Sequence, residues 1–509
     1  MISVDALVIG GGLSARRCAQ ALGEQYDVLL IHDGGGASPY IHGLCIPLAA
    51  EDSLELFIRD TMESGKHQNN PTLVRTLCEG ALSLAEDFTF DRQSNGEYDL
   101  LRPLGASVAR VASIHEHTGA YVMGEIAKNK TFRERADMRA MRLLCENGRV
   151  VGALCYNKKE DCWEHIRARA ICLATGGFGG VFPFSTNSED IGGDGIAMAY
   201  EAGCELCDME FIQFEPTAAL SPEGVRGKGV ITTMLYEGAC FKNAQGKRFL
   251  SLERVDKDIL SKAIYREILY GSPTASGGVY YDATGVDPTV LRKKYNSYLE
   301  RYRKVGVDIT KEPMEVAPAP HTTLGGVVID TRCQTALQGL FAMGEVTGGL
   351  HGANRLGGNA GLETLVFGKI AAESAAAYLE QQQDFSQIPD MLSKENKQFD
   401  NNVLHKRIKE VAAEALGVIR NGDQMRSARK EILDILQLLR PLCSQNGILC
   451  YGAMRAYNDA LTVSLTLESA LARGGSLGAH EREDSSVESE KYTLYLSKRY
   501  GVKKETIYE

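Results

Sequence analysis

"VDALVIGGGLSARRCAQAL", residues 4–22, decides the fold. An apolar run rich in Val, Ile and Leu ends in three glycines, and a helical pattern starts at once. The helix puts Ala15, Cys18, Ala19 and Leu22 on one face. Gly10, Gly12 and Ala15 fit G-x-G-x-x-G/A. In that pattern the first glycine makes a tight turn and the second lets backbone approach a pyrophosphate. The small third residue lets helix and strand pack closely. Strand before and helix after are the context the motif requires, so a dinucleotide site is expected, with Ser14 inside the turn. A second strand follows in "DVLLIHDGGGAS", residues 27–38. Its end is where such units place an acid for a ribose, yet it carries His32 and then Asp33. Those two residues are the candidate ribose contacts.

Glycines cluster again at 34–36, 176–180, 192–195 and 344–361. Clustered glycines mark turns or close backbone approach to a ligand. Clusters spread so widely predict one extended ligand touched from many loops. The chain of 509 residues is too long for one simple core, so two or three domains are expected. Hydrophobic residues at 44% and charged residues at 24% are ordinary for a globular protein. A net charge of −10 argues against nucleic acid and anionic membrane as partners. No apolar run reaches the roughly 18 residues of a membrane span, and no leader pattern precedes the first strand. Thirteen scattered cysteines fit reduced thiols and a cytoplasmic setting.

Residues 51–90 predict amphipathic helices, "SLELFIRDTMES" and "PTLVRTLCEGALSLAEDF". Residues 139–175 predict an antiparallel unit turning at Asn147-Gly148, then a buried strand "AICLATGG". Residues 221–325 are more polar, contain the helix "DILSKAIYREILYG", and interrupt the glycine pattern. From about 390 the chain predicts charged helices, one near "ALTVSLTLESALARGG". A polar tail from 475 is expected to wrap the surface.

An ordered set of stretches then carries a resemblance: "AICLATGG", "TNSEDIGGDGIAMAYEAG", "DMEFIQFEPTA", "APHTTLGGVVID" and "GLFAMGEVTGGLHGANRLGGNAGLE". Together they resemble the fumarate reductase, succinate dehydrogenase and L-aspartate oxidase flavoproteins, from residue 4 to "GAHERED" at 478–484. The resemblance implies FAD and an α/β fold with a two-part Rossmann-like FAD-binding domain, 1–220 and 326–385. It also implies an inserted α+β capping domain, 221–325, and a C-terminal helical domain and tail, 386–509. The implied flavin contacts are Gly10, Gly12, Ser38, Gly43, Thr175, Gly176, Asp194, Glu345, Asn359 and Leu362, with Ala360 in the segment expected beside the flavin ring. Part of the family attaches flavin covalently to a histidine. Ala37 stands in that register here and His42 lies nearby, so noncovalent FAD is expected.

The resemblance also implies a substrate carboxylate held by His321 and Arg355, with His351 close by. Arginine and histidine suit that task because they donate charge-assisted hydrogen bonds in fixed directions. The far half of the site departs from the family. "QFHPT" reads "QFEPT", so Glu215 replaces a histidine, and "RGEG" reads "LYEG", so an arginine is lost at Leu235. The proton-carrying arginine falls on Lys257, with Arg254 as the alternative register. A free carboxylate at Glu215 would repel a second substrate carboxylate and suit an amine. The expected reaction is hydride transfer between flavin and a small carboxylate or amino-acid-like substrate, not necessarily fumarate. An L-aspartate oxidase-like amine oxidation is the alternative. A flavin-carrying subunit without dicarboxylate chemistry is the third reading. Cys204 and Cys207 form a C-x-x-C pair, read as packed thiols because no second pair exists. No metal is expected in the chain, and electrons would come from a separate carrier protein or iron–sulfur subunit.

Overall fold

The computed structural model describes residues 2–115, 117–250, 256–382, 394–395, 399, 402–443 and 449–506. The strand Ile2–Ile9 is buried from Ala6 onward, as its unbroken apolar run requires of a central parallel strand. It pairs in parallel with Val28–Ile31 on one side and Cys162–Leu173 on the other. Arg133–Arg135 extends the first edge. The long strand Cys162–Leu173 carries two neighbours on its far side. Its early residues pair antiparallel with Arg149–Asn157, and its last three pair in parallel with Leu340–Ala342. Met138–Glu146 closes the meander, turning at Asn147 and Gly148, both at positive φ.

The helix Leu13–Leu22 packs against Asn359–Gln381. Gly368 permits the close approach, since a Cβ there would lie 2.9 Å from the Ser14 carbonyl oxygen. The N-terminal unit and the late glycine-rich segment therefore form one layer around one core. This is the α/β flavoprotein fold expected.

A second, antiparallel sheet orders Ile212–Ser221, Met314–Thr323, Val279–Asp282 and Cys240–Lys242. The helices Lys257–Tyr270, Pro288–Lys294 and Asn296–Arg303 accompany it. Its apolar residues, including Leu260, Tyr281, Leu299 and Val316, form a cluster separate from the main core. The strand Ile212–Ser221 belongs to this sheet although it precedes residue 221.

The late helices Asn402–Ala415, Gly422–Leu439 and Tyr451–Ala472 pack together. The tail corrects one expectation. Instead of wrapping the surface, Tyr492–Ser497 pairs with Leu206–Cys207 and with Gly501–Thr506. Its alternating burial of Tyr492, Leu494 and Leu496 is that of a strand with one face on the protein. All thirteen cysteines are free thiols. Burial pushes the Cys204 thiol up to about 11 and Cys207 well above the usual range, which suits packing rather than reactivity. No helix among the described residues is long and apolar enough to cross a membrane, and none of those residues forms a His, Cys, Asp and Glu cluster poised for a metal.

Candidate active site

One continuous cavity of about 510 Å³ runs from the N-terminal glycine turn to the second sheet. That volume lies in the range of cofactor and small-molecule sites, roughly 300–1,000 Å³. Gly10 sits at φ +135, and a Cβ there would lie 2.1 Å from the Ala174 carbonyl oxygen. The turn and the end of Cys162–Leu173 thus meet backbone to backbone. Ser38 Oγ accepts the Leu13 N–H at 2.8 Å, fixing the start of the helix. Ser14 Oγ and Thr175 Oγ1 are buried, line the cavity and lack a hydrogen-bond partner. Two orphaned hydroxyls and a glycine cradle suit a long polar ligand such as the diphosphate and ribityl chain of FAD.

Of the expected flavin contacts, Gly10, Gly12, Ser14, His32, Asp33, Ser38, Gly43, Thr175, Gly176, Asp194, Glu345 and Ala360 line this cavity. Asn359 and Leu362 do not. Both are fully buried in the helix beside it, and Asn359 Nδ2 donates to Thr61 Oγ1 at 3.2 Å. Their neighbours Gly357, Gly358 and Gly361 line it instead. Ala37 and His42 line it too, and His42 Nε2 lies 3.3 Å from the Tyr298 hydroxyl.

The acids at the nucleotide end are not free acceptors. Arg139 donates to Asp33 Oδ2 at 2.9 Å and to Asp194 Oδ2 from Nε at 2.9 Å and Nη2 at 2.5 Å. Lys158 donates to the other Asp33 oxygen at 2.7 Å, and Asn458 Nδ2 to Asp194 Oδ1 at 2.8 Å. His32 pairs with Glu134 at 2.9 Å. The missing ribose acid thus has a carboxylate behind it, on the next strand. Glu345 accepts the Thr323 N–H at 2.9 Å, and burial pushes its carboxyl up to about 7.

At the other end stand His321, Arg355, Lys257 and Glu215, the four expected catalytic side chains, gathered in the same cavity. Arg355 is 5% exposed. Its Nε has no partner, and its one hydrogen bond is a long 3.4 Å from Nη2 to Thr322 Oγ1. Among the described residues no carboxylate lies within ion-pair distance of it. A buried guanidinium left so short of acceptors is set for a carboxylate from outside the chain. His321 Nδ1 lies 2.8 Å from Thr186 Oγ1. Burial, reinforced by the Lys257 and Arg355 charges, holds His321 well below the usual histidine range, so the ring is neutral. His351 does not join them. It pairs with Glu363 at 2.9 Å, outside the cavity lining.

Glu215 and Lys257 form an ion pair, Nζ to Oε2, at 2.5 Å, with side chains only 8% and 14% exposed. The other Glu215 oxygen accepts from Thr217 Oγ1 at 3.1 Å. The two departures from the family pattern are therefore partners, and Glu215 does not present a bare negative charge. Burial lowers the Lys257 pKa. Glu215 opposes that shift and Arg355 adds to it. Arg254, the alternative proton carrier, lies outside the described residues. Leu235 packs against the apolar cluster of the second sheet and leaves no charge in the cavity.

Sequence reasoning missed Lys228, Tyr298 and Arg301, which line the same end. Tyr298 and Arg301 sit in the helix Asn296–Arg303, "NSYLERYR", whose charged pattern reads as an ordinary solvated face. No local signal marks them; only the packing of that helix on the second sheet brings them in.

A family described as "FAD binding domain" matches residues 5–360. The chain is 34% identical to the flavoprotein-type chain of a fumarate reductase (CoM/CoB) from Methanothermobacter marburgensis, over 94% of each chain. It is 30% identical to an L-aspartate oxidase of Clostridium perfringens, over 74% of this chain and 87% of that one. Among solved structures it superposes on Mycobacterium smegmatis Sdh1 with a TM-score of 0.82 at 26% identity, covering 99% of this chain and 94% of that one. It shares the fold of the E. coli quinol fumarate reductase FrdA, with a TM-score of 0.86 at 23% identity over 100% and 97% of the two chains.

Proposed function

We infer the following reaction from the premise that this chain belongs to the FAD-binding family of fumarate reductase and L-aspartate oxidase flavoproteins and is an FAD-dependent oxidoreductase. It moves a hydride between flavin and a carbon next to a carboxylate. The observation that carries this reading is Arg355, buried, nearly unpartnered, and in the same cavity as the N-terminal glycine turn.

FAD, when bound, supplies the hydride donor or acceptor. The residues fit it as a noncovalent ligand. Gly10, Gly12, Ser14 and Thr175 hold its diphosphate side, and Ala360 and Glu345 lie toward the ring. Arg355 grips one substrate carboxylate with its free N–H groups, and neutral His321 adds a hydrogen bond. The grip fixes the reacting carbon, so an entropic part of the barrier is met by binding. Lys257 holds the proton that the neighbouring carbon gains or loses. Its lowered pKa suits that work, because a buried lysine releases a proton more readily than an exposed one. Glu215 keeps Lys257 in place and favours its charged form. Because Lys257 neutralises Glu215, the substrate need not bring an amine, and an unsaturated or saturated acid fits better than an amino acid. Residues 221–325 serve as the cap that carries Lys257 and closes this end. A separate carrier protein exchanges electrons with the flavin, a reading supported by the Methanothermobacter relative, which is named as one subunit of its enzyme.

The test is anaerobic mixing of the reduced holoenzyme with a panel of unsaturated carboxylic acids, and of the oxidised holoenzyme with saturated acids and amino acids. At least one acid should change the flavin redox state, and Arg355→Gln should abolish that change while keeping the flavin. Response to amino acids alone, or to nothing in the panel, would refute the reading.

A further inference from the structure

The far half of the cavity has lost two cationic or hydrogen-bonding groups that the resemblance implies, at Glu215 and Leu235, yet it is not short of positive charge. Neighbours can be followed along one wall. His321 Nε2 lies 3.9 Å from Glu215 Oε2, and Lys257 pairs with that same oxygen. A Cβ on Gly229 would lie 3.9 Å from Glu215 Cγ. The Gly229 carbonyl accepts from Arg301 Nη1 at 3.0 Å. The wall therefore runs from the carboxylate clamp through the Lys257–Glu215 pair to a second guanidinium.

Arg301 is aimed and held without being neutralised. Its Cζ lies 5.0 Å from the Tyr298 ring centroid, and Tyr298 is itself fixed by the 3.3 Å contact to His42. A guanidinium has five N–H donors, and one of them is engaged by Gly229. Among the described residues no carboxylate forms an ion pair with Arg301, although its helix neighbour Arg303 has one in Glu300. Lys228 lines the same stretch, half-stacked near Tyr40, its Nζ 5.5 Å from the ring centroid. A lining cation braced by a carbonyl and an aromatic face, with its remaining fork open to the cavity, is built to receive an anion.

We propose that Arg301 is the specificity-determining residue that binds a second anionic group, so that the substrate is an acid carrying negative charge at both ends. The inference rests on the reading of Arg355 and His321 as the first carboxylate clamp. It places the second anchor on the helix Asn296–Arg303, not on the strand and turn that hold Glu215 and Leu235. Glu215 does not oppose it, because its charge is taken up by Lys257 at 2.5 Å.

The probes are fumarate and its monoamide, which has nearly the same shape and one charge fewer. Their dissociation constants are read from perturbation of the oxidised flavin spectrum of the holoenzyme, and KM and kcat from reduction by reduced viologen. The parent enzyme should bind fumarate at least about 10-fold tighter than the monoamide, as expected for a charge-assisted pair. Arg301→Gln should weaken fumarate about 10- to 100-fold, through KM more than kcat, and shift the monoamide less than about 2-fold. Arg301→Lys should fall between, since it keeps charge and loses the fork; it also carries the comparison if the glutamine variant loses FAD. Equal weakening of both probes, or of neither, overturns the assignment, as does a parent enzyme that binds neither. Arg355→Gln separates the two layers. It should weaken both probes, and if it weakens neither, the clamp reading has failed as well as the second anchor.

Discussion

Replacing Glu215 by Gln keeps the shape of the Lys257 contact and removes its charge. The pair is 2.5 Å long and nearly buried on both sides. Stripping one partner from a buried ion pair costs about 3–5 kcal/mol, most of it from the charge left uncompensated. Lysine escapes that cost by losing its proton. At about 1.4 kcal/mol per pKa unit, the Lys257 pKa should fall by about 2–3 units. In the parent enzyme burial already lowers it, while Glu215 pulls it back up. The sign is then fixed. A lower pKa means the cationic proton donor disappears at lower pH. The alkaline limb of carboxylate reduction should therefore move about 2 units toward acid in the variant, with rate falling about tenfold per pH unit beyond it. In the oxidative direction, where Lys257 accepts a proton, the variant should instead become active at lower pH than its parent. The assay is a pH profile of kcat/KM with reduced viologen and the most reactive acid of the panel, at matched flavin content. Lys257→Arg supplies the converse, because a guanidinium stays protonated and the limb should vanish from the accessible range. An alkaline limb at the same pH in Glu215→Gln and parent, or one moved toward base, would refute the assignment of Lys257 as proton carrier.

Gly10→Val places a Cβ 2.1 Å from the Ala174 carbonyl oxygen at a φ of +135, so the chain should be recovered without FAD; visible flavin absorbance per chain reads this directly. Arg139→Met leaves Asp33 and Asp194 buried without their shared cation, and should cost about 3–5 kcal/mol of stability in denaturant titration along with FAD binding. Glu345 has its carboxyl raised to about 7 by burial, from an ordinary 4.5. The folded state then binds more protons, so its contribution is complete below 4.5 and is lost as pH rises through about 7. Flavin-free Glu345→Gln should thus lose about 3 kcal/mol less stability than its parent between pH 4.5 and pH 8 in chemical denaturation. Equal losses in the two would refute this.

Much of the fold was legible because it is written in local periodicity. The buried run at Ala6–Ile9, the Gly10 turn and the positive-φ pair at Asn147-Gly148 each follow from neighbours in sequence. The four side chains at the far end were legible by motif, and they do meet in one cavity. What was not legible is pairing across sequence distance. Glu215 and Lys257 are each readable as a departure, but their cancellation of charge depends on the helix Lys257–Tyr270 packing against Ile212–Ser221. Arg139 follows a turn with no motif, and only the sheet brings it between Asp33 and Asp194. The tail strand was masked by the polar residues around it, although Tyr492, Leu494 and Leu496 alternate as a strand should.

The bond from Asn458 to Asp194 bears on how the enzyme is made. Almost every group around the nucleotide end leaves the ribosome within the first 200 residues, including Gly10, Asp33, Arg139 and Asp194 itself. The partner that completes Asp194 comes from the helix Tyr451–Ala472, one of the last elements synthesised. Until that helix docks, a buried carboxylate faces the cavity with an oxygen unmet. A nascent chain would thus hold an unfinished receptacle for most of its translation. Loading of the cofactor is accordingly tied to release of the finished polypeptide, and premature termination before Asn458 should give a product that misses its flavin rather than one that binds it loosely.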